Sequence, residues 1–182
     1  MTGPALWYLN RGTGVVLLVL YTATVLLGVL ARSGSGPGPR WWPRFATQGL
    51  HRSLTLLSTL LLAAHVTSAV LDDYVDIDWR DAILPVGGSY RPLYLGAGAL
   101  ALDLLLVIVV TSLLRKRIPD RAWRWLHLLA YPSWLASVVH TIGIATDIRA
   151  PWLVWSLVGC VGMVVFAAVL RFHRRGEAVP SR

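Results

Sequence analysis

The chain has 182 residues, of which 55% are hydrophobic and only 14% charged, and its mean hydropathy is +0.60. A water-soluble domain carries about 25% charged residues, so that class is excluded. Five membrane helices of about 20 residues each would take up roughly 100 positions and leave no room for a second soluble domain of ordinary size. The single cysteine, Cys160, excludes an internal disulfide framework and a CxxCH attachment of c-type haem. Lys and Arg outnumber Asp and Glu by 17 to 9. That excess lies in loops between apolar runs, so no nucleic-acid partner is expected.

Five apolar stretches follow one another at 14–31, 49–71, 93–114, 122–145 and 151–170. At about 1.5 Å per residue, each covers most or all of a hydrocarbon core about 30 Å thick. The chain offers no set of alternating strands to close a barrel. The predicted fold is therefore all-α, a five-helix transmembrane bundle occupying 14–171, with a short basic tail at 172–182. Residues 33–39 (SGSGPGP) read as a flexible linker. Arg11 ahead of span one and Val29-Leu30-Ala31 at its end give it some likeness to a signal peptide. Its apolar run is long for such a segment, and span one is read as retained.

Loop charges set the orientation. Arg32, Arg40 and Arg44 follow span one, with Arg52 just inside span two. Arg115, Lys116, Arg117, Arg121 and Arg124 follow span three, and Arg171, Arg174, Arg175 and Arg182 follow span five. The loop after span two is acidic, with Asp72, Asp73, Asp76, Asp78 and Asp81 against Arg80 and Arg91, and the loop after span four holds only Asp147 and Arg149. The N-terminus is predicted outside and the C-terminus in the cytoplasm of a cell membrane, with lipid as the surrounding partner. Trp41, Trp42, Trp123, Trp125 and Trp152 fall near span ends, as an interface belt requires.

Four of the five histidines lie inside apolar spans: His51 and His65 in span two, His127 and His140 in span four. Ionisable side chains at membrane depth are rare and costly, which makes each a functional candidate; a single one could equally serve as an interhelical hydrogen bond. Fourteen residues separate the first pair, a rise of about 21 Å on nearly one face. Thirteen separate the second, a similar height, but on an ideal helix the two would point about 140° apart. Either Pro132 kinks or rewinds the helix between them, or the two rings approach in different rotations; the spacing leaves both open. Spans two and four run parallel, which sets His51 level with His127 and His65 level with His140. Two neutral imidazoles make a poor zinc site, which wants four ligands. They suit the axial positions of a haem iron, whose porphyrin supplies the rest.

Span two, GLHRSLTLLSTLLLAAHVTSAVLDDYVDID, and span four, RAWRWLHLLAYPSWLASVVHTIGIATD, resemble the ferric reductase-like transmembrane domain, the haem core of ferric reductases and NADPH oxidases and a relative of the bacterial subunit MsrQ. The LHR, YRP and WRWLH pieces add softer support. The resemblance covers about 14–171. It implies two haem b groups, the inner iron on His51 and His127 and the outer on His65 and His140. The function it implies is transmembrane electron transfer, as the membrane component of a ferric reductase-like oxidoreductase. An MsrQ-like haem subunit serving an extracytoplasmic enzyme is the alternative, and a His-lined transporter without haem is the rival from another class. No GxGxxG follows a predicted strand, so no FAD or NAD(P) site is expected in these residues. The donor would be a separate cytosolic flavoprotein reductase or quinol, and the acceptor ferric iron or an extracytoplasmic protein.

Secondary candidates have plainer readings beside them. Asp103, at the middle of span three, would join an intramembrane polar network, or pair in protonated form with a neighbouring hydroxyl. Trp134 would pack between the two haems, or simply fill the core. Arg52, Arg91 and Arg124 would contact haem propionates, or serve as topology charges. His173 is read as exposed and Cys160 as an apolar filler. Gly96 and Gly98 are read as points of close helix contact.

Overall fold

In the computed structural model, residues 4–32, 44–72 and 75–177 are described. The linker 33–39, Arg40, Trp41, Trp42, Asp73 and the tail beyond Glu177 lie outside them. Among the described residues, seven α-helices run in order: α1 Pro4–Arg32, α2 Arg44–Val70, α3 Trp79–Ile83, α4 Pro92–Leu113, α5 Asp120–His127, α6 Ala130–Ile144 and α7 Pro151–Glu177. Among the described residues, α1, α2, α4 and α7 are long and apolar enough to cross a membrane. No strand occurs among them. This is a multi-pass helical membrane protein.

The predicted fourth span, 122–145, is not one helix, which corrects the expectation of five continuous spans. It breaks at Leu128 and Leu129 into α5 and α6. Pro132 has no N–H to offer the Leu128 carbonyl, and its ring crowds that carbonyl. The carbonyl is taken instead by the Tyr131 N–H, three residues on, at 3.1 Å. The Leu128 and Leu129 N–H groups likewise reach back three residues, to Trp125 and Leu126, at 3.1 Å each. Three-residue bonds wind the chain more tightly than the α-helix does. The break therefore turns the α6 face relative to α5, moving His127 and His140 toward a common direction. Alone, α6 is about 22 Å long, short of a bilayer core.

The other spans owe their ends to local chemistry. α1 begins about ten residues before the apolar run because Asn10, Arg11 and Thr13 find partners on other elements. Pro92, a residue suited to a first helical turn, starts α4 behind Arg91, whose φ of 40° lies in the left-handed region. Asp120 opens α5, where it accepts from Arg115 Nη2 at 2.6 Å. That hydrogen bond holds the Asp120 carboxyl below the ordinary carboxylate range.

The helices pack as two groups. α1 packs on α2, α6 and α7, while α4 packs on α6, α3 and α5. α2 and α6 are not among the closely packed pairs of the described residues. The core proper lies between α1, α6 and α7, where Leu18, Val25, Trp134, Val138, Leu153, Leu157 and Cys160 are buried together. Cys160 is thus the apolar filler its setting suggested. Ser133 Oγ ties α6 to α4 by donating to the Ala101 carbonyl at 2.8 Å. Trp134 Nε1 ties α6 to α1, donating to Thr22 Oγ1 at 3.0 Å. Trp134→Phe keeps most of the apolar volume and loses that bond. The expected cost is about 1–2 kcal/mol, read as a lower thermal midpoint of the purified protein in detergent.

Candidate functional site: two levels of paired imidazoles

The structure brings His51 to His127 and His65 to His140. The first pair has ring centres 6.1 Å apart with planes inclined 60°. The second has centres 6.4 Å apart and planes nearly perpendicular at 86°. We call these the lower and upper levels. Two rings sharing one metal, each nitrogen about 2 Å from it and each ring centre roughly 1 Å behind its nitrogen, have centres about 6 Å apart. Both gaps therefore fit a metal held from opposite sides.

The donor set says what kind of metal group fits. Among the described residues, no group of three or more His, Cys, Asp or Glu side chains converges as a metal cage. Each level offers two imidazoles, so the metal must bring its other ligands with it, as a porphyrin iron does. A cavity between the helices is lined at the upper level by His65 and His140, with Gly14, Leu62, Gly98 and Leu102 around them. Its walls are mainly apolar, as a macrocycle requires. The α2–α6 separation leaves the space that close helix packing would have filled.

Three of the imidazoles are oriented by backbone carbonyls of neighbouring helices. His51 Nδ1 lies 3.1 Å from the Thr24 carbonyl, His65 Nδ1 3.1 Å from the Asn10 carbonyl, and His140 Nδ1 2.9 Å from the Tyr94 carbonyl. A carbonyl only accepts, so each Nδ1 carries the proton and each Nε2 keeps its lone pair for a metal. Asn10 also binds in the other direction: its Nδ2 donates to the His65 carbonyl at 2.9 Å and to Ser68 Oγ at 3.3 Å. Thr13 Oγ1 stands 3.2 Å from the same imidazole. His127 is held differently, with its ring stacked on Trp123 at 4.8 Å and 21°. The Arg115 guanidinium covers that indole at 4.6 Å.

The other sequence candidates are placed as follows. Trp134 lies in the α1–α6–α7 core. Arg91 donates to the Gly143 carbonyl at the end of α6. Arg52 and Arg124 are exposed, as is His173. Asp103 is half-buried on α4, and its carboxylate makes no hydrogen bond or ion pair among the described residues. Sequence reasoning missed Asn10, Thr24 and Tyr94, whose role is played by main-chain atoms. It also missed Arg11, which lines the upper cavity and pairs with Asp147 in the α6–α7 loop. It read Trp123 as a belt residue only, and Gly98 only as a helix contact, although Gly98 lies directly against the His140 ring. One signal was available: Gly14 and Gly28 repeat on α1 the fourteen-residue spacing of His51 and His65.

A polytopic helical bundle holding four histidines in two facing pairs is the class that fold and site define. Residues 13–138 match the family described as ferric reductase like transmembrane component, and the chain belongs to that family. It is also similar to the protein-methionine-sulfoxide reductase heme-binding subunit MsrQ of Rhodospirillum rubrum, at 25% identity over 96% of this chain and 88% of that protein. No solved structure matches the chain.

Proposed function

We propose that the protein carries electrons across the membrane through two b-type haems. The lower would be held by His51 and His127, the upper by His65 and His140. The observation that carries this reading is the pair of imidazole gaps, 6.1 Å from α2 to α5 and 6.4 Å from α2 to α6, across helices that are not among the closely packed pairs of the described residues. Haem iron supplies one-electron chemistry, and with both axial positions taken by imidazole it favours electron transfer over oxygen binding. The residues do the rest. The Thr24, Asn10 and Tyr94 carbonyls hold the proton on Nδ1 and fix each ring's rotation. The apolar walls around the upper level exclude water. The fourteen-residue step on α2 sets the levels about 21 Å apart.

By the loop charges, the lower level faces the cytoplasm and the upper level the outside. Electrons would enter at His51/His127 from a cytosolic flavoprotein or quinol and leave at His65/His140. Ferric iron is one acceptor. The similarity to a methionine-sulfoxide reductase heme-binding subunit favours a second reading, delivery to an extracytoplasmic enzyme. Turnover of soluble ferric chelates by the purified protein supports the first; co-purification of a stoichiometric outer partner supports the second. Haem content and a reduced-minus-oxidised spectrum of protein produced with ample haem test the shared core. Two haems per chain with a b-type α-band are expected, and a colourless protein overturns the proposal.

A further inference from the structure

Three of the four imidazoles share one local arrangement that the metal-ligand reading does not require. His65 uses the carbonyl of Asn10, and Gly14 stands beside its ring. His51 uses that of Thr24, beside Gly28, and His140 that of Tyr94, beside Gly98. In every case the glycine lies four residues after the carbonyl it accompanies. Helix geometry explains that interval. A Cβ tilts toward the helix N-terminus and covers the preceding turn. The side chain at i+4 therefore overhangs the carbonyl of residue i, whose second lone pair is the one a ring can reach from outside. A Cβ there faces the approaching ring, and the distance between them decides whether it obstructs it.

We propose that Gly14 and Gly98 are positioning residues, each leaving out the Cβ that would crowd an imidazole away from the carbonyl four residues earlier, while Gly28 holds the equivalent place beside His51 with room for a methyl. The inference rests on the haem reading above and adds to it the elements that rotate and protonate the ligands. The available space grades the three. A Cβ on Gly98 would stand 2.7 Å from His140 Cε1 and 3.0 Å from its Cγ, a collision with a ring that cannot yield without leaving the Tyr94 carbonyl. On Gly14 it would meet His65 Cε1 at 3.1 Å, so the ring must shift by a few tenths of an ångström. On Gly28 it would lie 3.6 Å from His51 Cε1, an ordinary contact. Gly12, on the same helix as Gly14, has nothing within 4 Å and serves as the control.

The test uses the full chain produced with ample haem and purified in detergent. Haem per chain, low-spin electron paramagnetic resonance and a redox titration are read for the wild type and each variant. Gly98→Ala is expected to abolish or shift the upper-level signal and leave the lower one. Gly14→Ala is expected to shift the same upper signal by less, and to carry the test where the Gly98 variant does not accumulate. Gly28→Ala and Gly12→Ala keep both signals, whereas Gly28→Val disturbs the lower one alone. A uniform structural weakening would move both levels together and would move Gly12→Ala as well. Wild-type signals and potentials in both Gly98→Ala and Gly14→Ala overturn the proposal while leaving the haem reading intact. A wild type without haem overturns both.

Discussion

Replacing His65 or His140 with alanine is expected to halve the haem content, from two per chain to one, while the α-band of the remaining haem persists. In the proposed reading each of these rings is one of two protein donors at the upper level, and its removal would leave an iron held from one side. The lower level lies about 21 Å away along α2, beyond direct contact, so its rings keep their places. His51→Ala and His127→Ala are expected to give the complementary loss. His173→Ala, on an exposed side chain, changes neither. Pyridine haemochrome analysis against protein concentration measures the ratio directly. Two haems retained in both the His65 and His140 variants would contradict the upper assignment.

Gly143→Ala is expected to be nearly as damaging, although Gly143 is no ligand. A Cβ at this position would fall within the Tyr94 ring, and the carbonyl of that tyrosine is what His140 Nδ1 donates to. The Gly143 carbonyl meanwhile accepts from Arg91, which stands before the first turn of α4. One added methyl therefore pushes on the junction of α4 with α6 and on the anchor of a ligand together. Overpacking of this kind costs about 1–3 kcal/mol. The expected outcome is a lower thermal midpoint together with loss of the upper haem, followed by heating the detergent-solubilised protein and by haem content. Gly159→Ala on α7, where nothing lies within 4 Å, is the matched control. There the better helix propensity of alanine leaves stability equal or higher.

The bundle and its paired histidines were legible because they rest on side-chain pattern. Apolar runs of sufficient length mark helices in lipid, and a fourteen-residue step returns almost to one face. The ends and the breaks were less legible. α1 extends to Pro4 because Asn10, Arg11 and Thr13 are satisfied by His65, Ser68 and Asp147, partners that a hydropathy window does not register. The split of span four was half visible: Pro132 marked it, but the tightened turn falls at Leu128 and Leu129, where the missing N–H is felt. Arg91 and Trp134 were plausible cofactor contacts by position; Arg91 is placed by a helix-end carbonyl and Trp134 by a threonine hydroxyl. The anchors of the imidazoles were invisible in themselves, since a main-chain oxygen has no letter in the sequence. Only the glycines beside them leave a trace.

The two halves of the site are built with different linkage. On the α2 side, both grips come from a single uninterrupted rod, since the accepting carbonyls of Asn10 and Thr24 both belong to α1. Sliding that rod along its neighbour by one residue would unlatch His65 and His51 in the same movement, so on that wall the pair is held or released as one. On the opposite wall the chain is divided at Leu128, and His127 and His140 are secured by unrelated means, an indole below and a tyrosine carbonyl above. That wall accommodates adjustment one storey at a time, while α1 keeps the spacing between storeys constant.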